Sequence, residues 1–198
     1  MRPPFSEASE RNRDPILAVL EQRFVAPGTV LEIGAGTGQH AVHFARHMSH
    51  LHWIATDREE NHPGIAAWLR EAALPNLHGP LTLDVNAANW PVDAVEYVYS
   101  ANTAHIMSWQ EIEKMFAGIL RVLRPGGLFA LYGPFNRNGQ YTSDSNRGFD
   151  ASLQARDSKM GLRDDQALIA LGANCALSFL TDVPMPANNR VLVWERNV

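Results

Sequence analysis

Short apolar runs alternate along the chain with longer stretches in which apolar positions recur at helical spacing, and glycines and prolines punctuate the two. Residues 30–33 form the first strand-length run, and residues 39–48 repeat apolar positions as a helix does, with five turn residues between them. Residues 52–56 predict a second strand ending at Asp57. Residues 63–72 predict a helix that Pro63 opens, since proline suits a first helical turn. A short third strand over 81–83 ends at Asp84. β-Branched and aromatic content predicts a fourth over 95–99. Residues 109–123 place Ile112, Met115, Phe116, Ile119 and Leu120 on one helical face, and Arg124-Pro125-Gly126-Gly127 stops that helix. A fifth strand over 128–132 follows. Residues 133–163 form a polar insertion with a short helix over 148–157, long enough to act as a lid. A helix over 164–171, ended by Gly172, leads to strands over 177–183 and 190–195. Ahead of all this, residues 7–24 predict an N-terminal helix whose apolar part begins at Ile16.

Strand and helix alternate almost throughout, so the expected fold class is α/β: one domain over 1–198, with a mainly parallel seven-stranded sheet and helices on both faces. Only six residues separate the last two strands. That is too few for a parallel crossover, so the last strand must run antiparallel.

Composition narrows the function. With 45% apolar and 19% charged residues the chain is an ordinary globular one. A net charge of −4 supplies no field for a polyanion, which argues against nucleic acid and acidic membrane surfaces as partners. No signal-peptide pattern opens the sequence and no apolar stretch approaches ~20 residues, so a cytoplasmic, non-membrane location is expected. The single cysteine, Cys175, lies in an apolar run and is read as a buried thiol. His40, His43 and His47 share a helix face, but no Cys or acidic partner completes a ligand set; they are read as a solvated face, and no metal site is expected.

The sharpest chemical signal is Glu32-Ile33-Gly34-Ala35-Gly36-Thr37-Gly38, a strand end followed by glycines at every second position. Such a turn lets a ligand lie against bare backbone. A dinucleotide fingerprint needs its third glycine at position 39, which is Gln39, so the spacing suits S-adenosylmethionine better than NAD. Asp57, at the end of the next strand, is placed to accept hydrogen bonds from ribose hydroxyls, and Asp84 one from an adenine amino group.

These features, with the Arg124-Pro125-Gly126-Gly127 turn, resemble the class I S-adenosylmethionine-dependent methyltransferases over roughly residues 28–135. The resemblance implies a Rossmann-like methyltransferase sheet, with Glu32 orienting the glycine loop and the backbone around Ser100 meeting the cofactor's amino group. A narrower resemblance runs through Glu10-Arg11-Asn12-Arg13-Asp14-Pro15, Asn102-Thr103-Ala104-His105-Ile106, Tyr132-Gly133-Pro134, Phe149-Asp150-Ala151-Ser152-Leu153 with Arg156-Asp157, and Pro184-Met185-Pro186-Ala187-Asn188-Asn189. Together these are similar to the methyltransferase-like protein 26 family, which implies fold and cofactor and leaves the substrate open.

Ligands of open α/β sheets bind beyond the carboxyl ends of the parallel strands. That criterion selects Asn102 and His105 after the fourth strand, Tyr132 and the insertion after the fifth, and Asn188 and Asn189 after the sixth. Methyl transfer from a sulfonium needs alignment and, for some acceptors, removal of a proton. His105 is the expected general base, beside Asn102 and Tyr132; the alternative reading has it capping the helix that begins near Ser108. Asn188, Asn189 and Arg156 are the expected substrate contacts, with Arg137, Arg147 and Arg163 available for a clamp or for ion pairs within the insertion. The leading expectation is methylation of a small molecule. A cofactor-binding regulatory protein without turnover and a protein methyltransferase are the alternatives.

Overall fold

The computed structural model describes residues 3–198; Met1 and Arg2, included in the expected single domain, lie outside the described residues. The elements in chain order are α1 (Glu7–Arg23), β1 (Gly28–Ile33), α2 (Gln39–His47), β2 (Leu51–Asp57), α3 (His62–Ala72), β3 (Leu77–Thr82), β4 (Val95–Ala101), α4 (Trp109–Val122), β5 (Leu123–Gly133), β6 (Phe135–Asn136), α5 (Asp144–Arg156), β7 (Arg163–Asp164), α6 (Asp165–Asn174), β8 (Leu177–Met185) and β9 (Asn189–Arg196). Seven strands form one sheet in the order β3-β2-β1-β4-β5-β9-β8. The pairs from β3 to β5 are parallel, and β9 runs antiparallel to both neighbours, as the short β8–β9 connection requires. The two-residue strands β6 and β7 pair separately at the base of the insertion.

Alternation of side chains across the sheet divides the core in two. Val30, Tyr97, Tyr99, Ala130 and Tyr132 pack with Ile16 and Leu20 of α1, Val42 and Phe44 of α2 and Ile65 of α3. Leu31, Ile33, Val98, Phe129 and Leu131 face α4 and α6 instead. Helix α4 shows the logic most plainly. Ser108 accepts the Glu111 N–H while the Glu111 carboxylate accepts the Ser108 N–H, and the face so started buries Ile112, Met115, Phe116 and Ile119. Phe116 stands edge-on to Phe129 and Trp194, at centroid distances of 5.5 Å each. Truncating such a ring to alanine costs about 3–5 kcal/mol.

Several boundaries differ from the sequence pattern. The third strand is Leu77–Thr82, not 81–83: it lies at the sheet edge with most side chains exposed, so no apolar alternation marks it, and Pro80 is tolerated there. The fifth strand begins at Leu123, because the Arg124–Gly127 turn is a register shift within it. Helix α5 starts at Asp144, capped by Ser143, and Gly148 lies inside it. In α6, Asp164 is the cap and Gly172 is interior rather than terminal, held close to the Trp194 indole. Cys175 is only half-buried, because it caps the end of α6 where the chain turns outward.

Candidate functional site

The carboxyl ends of β1, β2 and β4 and the chain following β3 open on one cavity of about 790 Å³, whose walls include Gly34, Gly36, Asp57, Asp84, Asn102, His105 and Asn189. The glycine turn is pinned at its start: the N–H groups of Gly34 and Ala35 both donate to the Thr56 carbonyl at 3.0 and 2.9 Å. All three glycines have positive φ. A Cβ at Gly34 would stand 2.6 Å from the Thr103 methyl, whereas one at Gly36 would meet nothing within 4 Å. Gly36 therefore leaves room on the cavity wall for a ligand to lie against backbone. Gly38 does not reach the cavity; it starts α2.

Asp57 is buried and already engaged. Its Oδ2 accepts the Gly36 N–H at 2.7 Å, and Oδ1 accepts the Arg58 N–H and the Asn61 amide at 2.8 and 2.9 Å. A carboxylate offers about four lone-pair positions, so about one remains free for a ribose hydroxyl while these bonds hold. Asp84 lies beyond the edge strand. Its Oδ1 accepts both the N–H and the amide of Asn86, leaving Oδ2 available. Glu32 stands behind the turn, off the cavity wall, with Oε2 accepting the Trp53 indole N–H at 2.7 Å. Burial, the dominant cause, and the nearby Asp57 charge push its carboxyl up to about 8, against the lowering effect of the Trp53 bond. Ser100 is likewise behind the wall, its hydroxyl donating to the Ile33 carbonyl at 2.7 Å.

Across the sheet, β4 delivers the other half of the site. Asn102 adopts a φ of 59° and donates its N–H to the Tyr132 carbonyl at 2.9 Å, which turns the chain so that residues 101–103 and 105–107 line the cavity. His105 is buried edge-on to Phe149 of α5, at a centroid distance of 5.2 Å. Burial and then the charge of Arg163 lower its imidazole to about 4, so the ring is neutral at physiological pH. Ser108, not His105, caps α4. The Tyr132 phenol does not join this wall. Strand alternation turns it into the α1–α2 layer of the core.

The substrate contacts expected from the insertion distribute differently. Asn189 lines the cavity together with Ala187; Asn188 and Arg156 do not. Asn188 uses its carbonyl to receive the Asn146 amide at 3.2 Å, and Arg156 is exposed at the end of α5. Arg163 forms no clamp: it donates to the carbonyls of Ala104, Met107 and Lys159 and so fixes the loop that carries His105.

Sequence reasoning missed the layer above the glycine turn. Ser6, Ala8 and Ser9, at the start of α1, line the cavity, and so does His40. His40 is buried rather than solvated. Its Nε2–H donates to Asn12 Oδ1 at 2.7 Å, and Nδ1 accepts the Tyr99 phenol at 3.2 Å. Burial lowers it to about 4. The motif around Asn12 was visible in the sequence, but nothing there tied it to His40 across 28 residues.

The fold is the Rossmann-like seven-stranded sheet of class I methyltransferases. Residues 3–196 match the family described as "Protein of unknown function (DUF938)", and the chain belongs to that family. Among solved structures it is similar to an O-methyltransferase family protein from Burkholderia thailandensis, with a TM-score of 0.83 and 14% identity over 96% of this chain and 58% of that one. It is similar to the mitomycin 7-O-methyltransferase MmcR at a TM-score of 0.83 and 15% identity, covering 96% of this chain and 54% of that one. The chain thus spans little more than half the length of these two proteins. The YcgJ protein from Bacillus subtilis is covered nearly whole, 96% of this chain and 99% of that one, at a TM-score of 0.73 and 15% identity. At such identities the likeness is one of fold. Among the described residues, no helix is long and apolar enough to cross a membrane.

Proposed function

We propose that the chain binds S-adenosylmethionine in this cavity and transfers its methyl group to a small molecule. The observation that carries the reading is the juxtaposition of an open glycine turn with a buried carboxylate at the next strand end, both on one cavity. The residues present fit the cofactor. Gly36 leaves space where a side chain would stand, Asp57 and Asp84 keep acceptor positions for a ribose hydroxyl and an amino group, and Ile33, Leu83 and Val85 supply apolar walls for a flat base.

When bound, the cofactor supplies an activated methyl group. The protein's own part is alignment and proton removal, with His105 as the base and Asn102 holding the acceptor. Neighbours of the same fold are O-methyltransferases, which favours an oxygen acceptor. The narrower likeness to the methyltransferase-like protein 26 family rests on the motifs around Asn12, His105 and Asp150. The start of α1 and α5 on the cavity wall favour a small substrate over a protein one, and a cytoplasmic location is our reading of a sequence with neither a signal-peptide pattern nor a long apolar run. Calorimetry with S-adenosylhomocysteine tests the cofactor. Incubation of the protein with methyl-labelled cofactor and cell extract tests turnover: label in small molecules supports the reading, and binding without any transfer supports a regulatory role.

A further inference from the structure

The cavity is chemically divided, and the division names an acceptor. Sheet order places β2 and β3 on one side of β1 and β4 and β5 on the other. Of the charged groups on the wall, Asp57, Arg58 and Asp84 belong to the β2–β3 side; Glu111, at the start of α4, stands between the two sides, its carboxylate held by Ser108 and by Asn86. Beyond Glu111 the lining is uncharged. It consists of Phe149, Ile106, Met107, Pro134 and Ala187, with His105 and amide or hydroxyl side chains between them. Phe149 and Ile106 leave 39% and 47% of their surface open beside the cavity.

The two asparagines that α5 and the start of β9 bring to this side present their oxygens. The Asn146 amide N–H groups are committed to Thr142 and the Asn188 carbonyl, and those of Asn189 to the carbonyls of Pro186 and Ala187. Their Oδ1 atoms are left as acceptors. Arg163, the guanidinium nearest His105, is spent on main-chain carbonyls. Among the described residues, neither nitrogen of His105 has a hydrogen-bond partner in the protein. Without a free cation this side disfavours carboxylates and phosphates, whose burial unpaired is costly; the Asn146 and Asn189 oxygens receive O–H donors, and Asn102 and Ser145 add groups that can both donate and accept. The exposed Phe149 ring beside His105 gives a flat molecule a surface to stack on.

Resting on the proposed cofactor, we infer that the methyl acceptor is an uncharged aromatic molecule bearing at least one hydroxyl, stacked on Phe149 with that hydroxyl directed at His105 and a second polar group at Asn146 or Asn189. In the transfer, the phenolic proton passes to the imidazole and the oxygen's electron pair forms the new O–CH3 bond. The pair of the breaking C–S bond stays on sulfur, and the sulfonium becomes a neutral thioether. Burial makes His105 a weak base, which restricts it to the more acidic hydroxyls: a phenol gives up its proton far more readily than an alkyl alcohol.

The test uses the full-length protein and three probes: catechol, its near-isosteric anion salicylate, and cyclohexanol. S-Adenosylhomocysteine binding is measured first, and absence of binding overturns the cofactor reading and this inference with it. Given that binding, catechol should be converted to its monomethyl ether at least about ten-fold more efficiently than salicylate, with no turnover of cyclohexanol. Phe149→Ala should raise the catechol KM at least about five-fold while leaving S-adenosylhomocysteine affinity unchanged, which also shows that the variant folds. Salicylate or cyclohexanol matching catechol, no methylation of catechol, or an unaltered KM in the variant overturns the inference and leaves the cofactor reading intact.

Discussion

The carboxylate of Asp57 accepts the N–H of Gly36 at 2.7 Å, so the ends of two adjacent parallel strands are joined across the mouth of the cavity. The same carboxylate anchors Asn61 and the first residues after β2. Asp57 therefore holds the turn in shape as well as offering an acceptor to a ligand. Asp57→Ala should weaken S-adenosylhomocysteine by about 1–3 kcal/mol for the lost acceptor, and lower thermal stability besides, because the Gly36 N–H loses its partner. Calorimetry and a melting curve on one preparation check both halves; unchanged affinity would remove Asp57 from the binding site.

Gly34 and Gly36 should fail in different ways. Gly34→Ala puts a methyl 2.6 Å from the Thr103 methyl at a φ of +76°, and should destabilise the fold by about 1–3 kcal/mol. Thr103→Ser keeps the hydroxyl that meets Ser100 and removes the clash, so the double variant should recover more than about 0.5 kcal/mol of coupling energy. Gly36→Ala meets no protein atom and should cost only the about 1–2 kcal/mol of a left-handed residue, yet lose ligand affinity at least ten-fold. A Gly36→Ala variant that binds normally would show that no ligand lies against this turn.

The order of the main elements was legible because strand and helix periods alternate almost throughout. The places that resisted share one cause: the deciding partner lies far away in sequence. Tyr132 stands at the right strand end, but only the phase of the sheet decides which face it takes, and Ala130 and Tyr132 point to α1 together. His40 looked like one of a solvated row because its spacing is helical; Asn12 and Tyr99 bury it from two other elements. Arg163 looked available for a clamp until three backbone carbonyls claimed it. Gly34, Gly36 and Asp57 could be placed at the cavity, by contrast, because a turn between a strand and its following helix is a local pattern.

Buried titratable groups should give the fold a pH optimum of its own. Glu32, raised to about 8, keeps a proton in the folded chain that the unfolded chain releases near 4.5, so its contribution is full below about 4.5 and is lost as pH rises through 8. His40 and His105, lowered to about 4, do the reverse: their contribution is full above 6.5 and is lost as pH falls through 4. His43, lowered to about 4 first by burial, adds in the same direction. Between about 4.5 and 6.5 the histidines outnumber the glutamate, and above 6.5 Glu32 acts alone. Melting temperature without ligand should therefore peak near pH 6.5. Glu32→Gln, which keeps an acceptor for Trp53, should remove the decline between 6.5 and 8, and a wild-type stability still rising across that interval would contradict the protonated Glu32.

Replacing His105 separates catalysis from binding. His105→Gln retains a polar side chain of similar reach but cannot take a proton, so turnover of a hydroxyl acceptor should fall about 100- to 10,000-fold while S-adenosylhomocysteine affinity stays unchanged. The pH dependence of kcat/KM should lose its acidic limb in the variant, since in the wild type that limb reports protonation of a ring held at about 4. Full activity in the variant would leave His105 a wall residue only.

The cavity has two covers, and each should respond to a different ligand. The start of α1 lies over the glycine turn. Asn12 holds His40 at 2.7 Å, the Ser6 N–H donates to Gln39, and Ala8 and Ser9 face the cavity. On the far side, α5 contributes Asn146 and Phe149, and it is held by Asp150, which accepts the Tyr141 hydroxyl at 2.6 Å and the Leu162 N–H at 2.6 Å. A cofactor beneath α1 adds contacts to the first cover alone, while an acceptor beside Phe149 adds them to the second. Closing both excludes water from the space where the sulfonium charge is neutralised, which strengthens alignment and protects the cofactor. Amide exchange in residues 8–15 should therefore slow with S-adenosylhomocysteine, and exchange in residues 136–160 should slow further only when an acceptor is added. Asn12→Ala should speed exchange in the first segment without touching the second. Equal exchange in both segments with and without ligands, beside clear protection of residues 34–38, would mean that the covers are static walls and that substrate enters past them without any movement of α1.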